Sequence, residues 1–248
     1  MRFRVMTYNI HRAIGVDRRF RPERMIRIIE SHEPDIVLLQ EVDDGVPRSR
    51  EMDLARELAA ALGYPHVAIG HNVTLRKGRY GNATLSRHPI LRERNIDLTI
   101  GTWKRRGCQH TAIALNGRVG RSHRLEVFNL HLGLSSHQRE LQVALLARSR
   151  ELASLVTDVA CLVGGDFNDW RSRLQPLLMG GLRFRSATDR SLSGEGPIPT
   201  YPAFFPRGPL DNIYYRGPLR LLSARRCRLR LARIASDHLP IVADFEIH

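Results

Sequence analysis

The stretch LVGGDFNDW, Leu162–Trp170, joins an apolar run to two glycines and then sets Asp166, Asn168 and Asp169 within four positions. A turn accounts for Gly-Gly-Asp, because glycine supplies free dihedrals and aspartate bonds its own backbone. It does not account for the recurrence of the pattern. Arg2–Asn9 alternates apolar and polar residues and leads into Asn9 and His11, PDIVLLQEVD ends in Gln40, Glu41 and Asp43, and FNLHLG carries Asn129 and His131. PLDNIYY opens a strand on Asp211, and ASDHLPIVADF opens another on Asp237 and His238. Singly, each is a turn, a cap or a solvated acid. Together, six segments that set carboxylates, amides and imidazoles beside apolar strands point to one shared rim, where a site forms.

Periodicity around these ends predicts a mixed chain. Helices are expected over Pro22–His32, Glu51–Leu62 and His137–Val156, the last with Leu141, Ala144, Leu145, Leu152 and Leu155 on its buried face. Further strands are expected near 65–71, 82–86, 90–99, 109–116, 124–131, 211–215, 219–231 and 240–247. Within 219–231, Cys227, Leu229 and Leu231 alternate with Arg226, Arg228 and Arg230, the pattern of a charged edge strand. Strands outnumber helices, and TYNIHRAIG is not the glycine-rich turn of a doubly wound nucleotide fold. The expected class is α/β: two mixed β-sheets packed face to face with helices outside, as one domain over 1–248.

The 248 residues are 42% hydrophobic, enough for a sizeable core, and no apolar run is long enough to span a bilayer. The N-terminus has no long apolar segment of the signal-peptide kind, and Cys108, Cys161 and Cys227 are too scattered for a disulfide framework. A cytoplasmic protein with reduced thiols is the expectation. The net charge of +14 favours a polyanionic partner, nucleic acid before an anionic membrane surface. Nearly all of the positive charge is arginine, since Lys77 and Lys104 are the only lysines, a skew that codon bias also produces.

Oxygen ligands without cysteine suit a hard cation, Mg2+ or Mn2+. Histidines and spare carboxylates beside it suit hydrolysis of a phosphate ester: one imidazole orients or activates water, another protonates the leaving oxygen. The ordered set TYNIH, PDIVLLQEVD, NLHLG, GGDFN, PLDNIYY and SDHLPIVADF resembles the signature of the endonuclease/exonuclease/phosphatase superfamily, from residue 7 to 245. The resemblance implies a four-layered α/β sandwich and a metal-dependent phosphodiesterase. It implies that Asn9 and Glu41 lie at the main metal, with Asp237 near that metal or a second one. Asp166 and Asn168 then face the scissile phosphate, His238 is paired with Asp211, and His131 matches the histidine of deoxyribonuclease-like and sphingomyelinase-like members. Asn82, in RYGNATLSRHP, falls where the family places a phosphate-side polar group.

NLHLG stands where abasic-site endonucleases usually carry an asparagine-rich, Tyr/Val-Pro-Asn type segment, and His11 stands where some of those enzymes carry an acid. The expected activity is therefore phosphodiester hydrolysis by a monomer, with nucleic acid as substrate ahead of phospholipid or a small phosphoester. Arg79 in LRKGRYGN and Trp103 in GTWKRRG are the expected substrate contacts, the indole by stacking on a base or anchoring at an interface.

Overall fold

The computed structural model describes residues 1–116, 122–189 and 195–248. One six-stranded sheet runs in the order β11 (Leu219–Arg226), β12 (Ile241–Ile247), β1 (Arg2–Asn9), β2 (Ile36–Asp44), β4 (Arg79–Ser86), β3 (His66–Thr74). The other runs β5 (Ile90–Asp97), β6 (Gly107–Asn116), β7 (Ser122–His131), β8 (Cys161–Asp166), β10 (Asp211–Arg216), β9 (Arg185–Ser186). Each sheet is built around one parallel pair, β1 with β2 and β7 with β8, flanked by antiparallel strands. A parallel pair needs a crossover. Helix α1 (Pro22–Glu30) supplies it in the first sheet, and α3 (Ser136–Arg148) with α4 (Arg150–Ala153) in the second.

Period-two burial sends alternate residues of each strand to opposite faces. Phe3, Val5, Ile36 and Leu38 meet Ile113, Val127, Leu162 and Ile213 between the sheets. Met6, Tyr8, Val37 and Leu39 face outward onto α1, α2 (Leu54–Leu62) and α5 (Ala232–Ala235), while Phe128, Leu130 and Val163 face α3 and α4. Helix, sheet, sheet, helix is the four-layered α/β sandwich. Its three cysteines are free and buried. Among the described residues no helix is long and apolar enough to cross a membrane.

Two expected elements differ. The ladder of β11 with β12 ends at Arg226 opposite Ile241, because the next partner is Pro240, which has no N–H to donate. The chain leaves the sheet there, and Arg228 and Arg230 lie in a turn leading into α5, which packs Ala232 and Ala235 against α1. The helix expected over 137–156 breaks at Ser149, whose extended backbone and side chain cap α4 by accepting from Leu152 N. Its buried face is also different: Gln138, Arg139, Gln142, Val143 and Leu146 are buried, and Leu141 and Leu145 are exposed. Val143 and Leu146 pack on the sheet, while Gln142 accepts from Gly133 N and Arg139 donates to Leu134 O, so this face serves both the sheet and a polar loop.

Near the rim, the layer between the sheets turns polar. Asn129 Nδ2 donates to Leu39 O at 3.1 Å and Ala83 O at 2.9 Å, and its Oδ1 accepts from Gln40 Nε2 at 2.7 Å. Asn129 thus bolts the second sheet to β2 and β4 of the first. Asn129→Ala is expected to destabilise the fold by about 3 kcal/mol, since buried groups left unpaired cost roughly 1–3 kcal/mol each. A urea midpoint unchanged from wild type would sink the clamp.

Candidate active site

The carboxyl ends of both parallel pairs reach the same rim: Asn9 ends β1, Glu41 lies near the end of β2, and His131 and Asp166 end β7 and β8. Antiparallel β10 starts at that rim with Asp211 opposite Asp166, and β12 starts there just after Asp237 and His238. Topology alone gathers the polar strand ends. They surround a cavity of about 260 Å³ whose lining includes Asn9, Glu41, His131, Asp166, Asn168, Asp237 and His238.

Asp166 is the hub. Its Oδ2 accepts from Asn9 Nδ2 at 3.0 Å and lies 3.5 Å from His131 Nε2 and 3.7 Å from His238 Nε2, while Oδ1 accepts from Asn168 N at 2.9 Å. Asn168 is tied back by its own Nδ2 to Leu132 O at 2.9 Å. Behind the ring of His238, Nδ1 meets Asp211 Oδ2 at 2.8 Å, and that oxygen also accepts from Thr200 Oγ1 at 2.6 Å. The expected pairing of Asp211 with His238 is therefore present, with Asp211 fully buried and out of the cavity lining.

The charges separate the two histidines. Burial opposes charging of His238, but Asp211, Asp166 and Asp237 outweigh it and raise the ring to about 10. Burial lowers His131 well below the ordinary imidazole range, helped by the nearby cations Arg106, Lys104 and Arg12 and by His238. Burial also raises Asp166 to about 6, against the pull of His238. At neutral pH the set is a charged His238, a neutral His131 and an ionised Asp166.

Glu41 sits at a bulge of β2, between Leu39 and Val42, with φ +56°, and Asn168 has φ +52°. Non-glycine residues rarely hold this backbone, and such strain gathers at functional sites. Glu41 Oε2 pairs with Arg12 at 3.2 Å. The groups facing the cavity offer carboxylate and amide oxygens and no sulfur, so the donor set of Glu41, Asn9 and Asp237 fits a hard divalent cation. Asp166, Asp211 and His238 also bring ligand atoms within 4.8 Å of one another. There the imidazole is hydrogen-bonded to Asp211 at 2.8 Å and lies between the two carboxylates, 3.7 Å from Asp166, so its own positive charge already offsets theirs.

Three expected contacts lie elsewhere. Asn82 is buried behind the cavity, where Nδ2 donates to Asn129 O at 3.0 Å and Gly107 O at 3.3 Å. Arg79 is held by Asp44 at 2.9 Å and does not line the cavity. Trp103 stands edge-on to His137, beside the lining but outside it. Its neighbours Lys104 and Arg106 do reach the wall. Sequence reasoning missed Arg12, Thr200, Trp170 and Tyr201. Trp170 ends the motif GDFNDW and so carried a signal; Thr200 and Tyr201 come from an irregular loop, and Arg12 follows the TYNIH strand end.

Comparison with known proteins agrees with this fold. The model of the Endonuclease/Exonuclease/phosphatase family matches residues 6–238. YbhP of Escherichia coli (strain K12) is 32% identical, covering 99% of this chain and 96% of that protein. Among solved structures, an endonuclease/exonuclease/phosphatase from Beutenbergia cavernae superposes with a TM-score of 0.82 at 21% identity, over 99% of this chain and 72% of the other. The human Nocturnin catalytic domain with bound sulfate anion gives a TM-score of 0.76 at 23% identity, over 100% of this chain and 94% of the other. Matching nearly end to end in sequence and in layer architecture, the chain belongs to the endonuclease/exonuclease/phosphatase family.

Proposed function

We propose that the protein is a divalent-metal-dependent phosphodiesterase that acts on nucleic acid. The observation that carries the reading is the hub: Asp166 held within 3.0–3.7 Å of Asn9, His131 and His238, facing a cavity that Glu41 shares. Ionised Asp166 orients a water and takes its proton. The charged His238, fixed by Asp211, faces the phosphoryl oxygens and can give a proton to the leaving oxygen. Neutral His131 supplies a hydrogen bond without adding charge. Mg2+ or Mn2+ held by Glu41, Asn9 and Asp237 would supply further charge against the phosphoryl oxygens.

The substrate class rests on charge and shape. The chain carries +14, Lys104 and Arg106 line the wall, and Trp170 and Tyr201 form an edge-to-face aromatic pair at the mouth, 5.5 Å between centroids. Base stacking on aromatics within a basic groove is the usual means of holding a single strand. A second reading, phospholipid hydrolysis, is favoured by one feature: Leu134 in the lining and Phe204 and Phe205 beyond Tyr201 are well exposed.

The test is hydrolysis by purified protein with Mn2+ or Mg2+ of bis(p-nitrophenyl) phosphate, single-stranded DNA, RNA and phospholipid vesicles. Cleavage of the first and of at least one nucleic acid, abolished by EDTA, is expected. Cleavage of vesicle lipid with both nucleic acids left intact would replace the nucleic-acid reading by the lipid one. Inertness toward every substrate would end the phosphodiesterase reading.

A further inference from the structure

Beside the catalytic cavity lies a second cleft of about 220 Å³, lined by Ser136, Arg139, Trp170, Arg171 and Arg173. Trp170 lines both spaces and is the wall between them. Its indole is seated on Gly208, where an added Cβ would lie 2.8 Å from the ring.

Three guanidiniums converge on this cleft. Arg139 is buried, with 7% of its side chain exposed; two of its nitrogens are used, on Leu134 O and at 3.8 Å from Asp169, and Nε has no partner. Asp169 is itself buried, and its other oxygen accepts from Leu174 N. Arg171 and Arg173 are exposed and have no ion-pair or hydrogen-bond partner among the described residues. The cleft also takes in Ser136, the first residue of α3, whose N-cap Ser135 makes no side-chain capping bond. Burial disfavours the charge on Arg139 most, Arg173 adds to this, and Asp169, Glu140 and Asp166 offset it only in part. Like charges held together with too few counter-ions repel, and a bound anion relieves them. Guanidiniums bind phosphate through paired N–H groups, and helix N-termini favour it.

We propose that this cleft binds the next phosphate of the substrate strand, with the intervening base against Trp170. The proposal rests on the phosphodiesterase reading above. Consecutive phosphates of a strand are joined by one sugar, which carries the base between them, and the order here is catalytic cavity, indole, arginine cleft. The ligand chemistry is a phosphodiester anion, and the strand is its source.

The test compares wild type with the Arg171→Gln/Arg173→Gln double variant. Both side chains are exposed, so the fold should be kept, as equal melting temperatures would verify. With Mn2+, the variant is expected to show about a tenfold higher KM for a short single-stranded oligonucleotide, a loss of about one charged contact. Its hydrolysis of bis(p-nitrophenyl) phosphate, which has no second phosphate, should be unchanged. In EDTA, fluorescence anisotropy of a labelled oligonucleotide should show the same weakening and a salt slope shallower by about 0.7, the single-strand value for one phosphate contact. Equal oligonucleotide affinity in the two proteins would overturn the subsite, as would an equal loss on both substrates. Inorganic phosphate bound by wild type alone, with oligonucleotide bound equally by both, would assign the cleft to free phosphate and overturn the strand assignment. Arginine-dependent oligonucleotide binding by a protein that hydrolyses nothing would leave the subsite standing and end the phosphodiesterase reading.

Discussion

His238→Ala is expected to lower phosphodiester turnover by about 10²–10⁴-fold, the range for a lost general acid or base, while leaving the protein folded. The ring is the point where Asp166 and Asp211 meet, 3.7 Å from one and 2.8 Å from the other. Removing it strips the cavity of its one charged imidazole and leaves two buried carboxylates facing each other. Asp211→Asn separates position from charge. The amide can still bond Nδ1, but it no longer supports the positive ring, so the His238 titration should move down from about 10. A folded-state value raised above the ordinary 6.5 means that the charged ring stabilises the wild type below that pH. This contribution is lost as pH rises through about 10. In Asp211→Asn that loss should come at lower pH. Proton NMR of the His238 ring and urea titrations across the alkaline range would check both. A ring that titrates as in wild type would remove Asp211 from its supporting role, and near-normal turnover in His238→Ala would remove His238 from the chemistry.

Glu41→Gln is expected to reduce divalent-cation affinity and turnover together. A neutral amide keeps the shape of the ligand but cannot offset the charge of a hard ion. The side chain is aimed by backbone that few residues adopt, φ +56° at a bulge, so the substitution leaves its direction unchanged and alters only its charge. Arg12, 3.2 Å from the carboxylate, loses its partner in the same change. Calorimetry with Mn2+ alone reads the effect without substrate. Binding as tight in Glu41→Gln as in wild type would assign the cation to other groups, and turnover would then need a different account.

The strand ends were readable because the transition from apolar run to polar residues is a local signal. Asn9, Glu41, His131, Asp166, Asn168, Asp237 and His238 all reach one cavity on that basis. Segments named only for being basic did less well. Lys104 and Arg106 line the cavity, but Lys77 pairs with Glu51 and Arg79 with Asp44. Charge in a sequence does not tell whether an acid across the sheet already claims it. Alternation failed at Arg226–Leu231 for a related reason: a strand needs a partner with N–H groups, and Pro240 withholds one. Leu141 and Leu145 were misassigned to the buried face because α3 is turned so that Val143 and Leu146 meet the sheet while Gln142 and Arg139 bond the loop at Gly133 and Leu134. Arg12, Thr200 and Tyr201 reach the site through loops whose paths depend on the whole fold.

The nesting of the two sheets bears on how the molecule is born. All of β5 to β10 is threaded between β4 and β11, so the first sheet is left open while the second is laid down. β1 is synthesised well before β12, its antiparallel neighbour, and waits for it, with Arg2 finally opposite Glu246. Until then β1 has an unpaired edge, and Asn9 and Glu41 have no His238 across from them. Contacts this distant in the chain close late, because the entropy of loop closure must be met before they form. A chain in which β12 has not yet paired therefore carries half of the candidate site. On the proposed reading, cleavage of a phosphodiester requires β12 to have closed on β1, because that pairing brings residues 237 and 238 to Asn9 and Glu41.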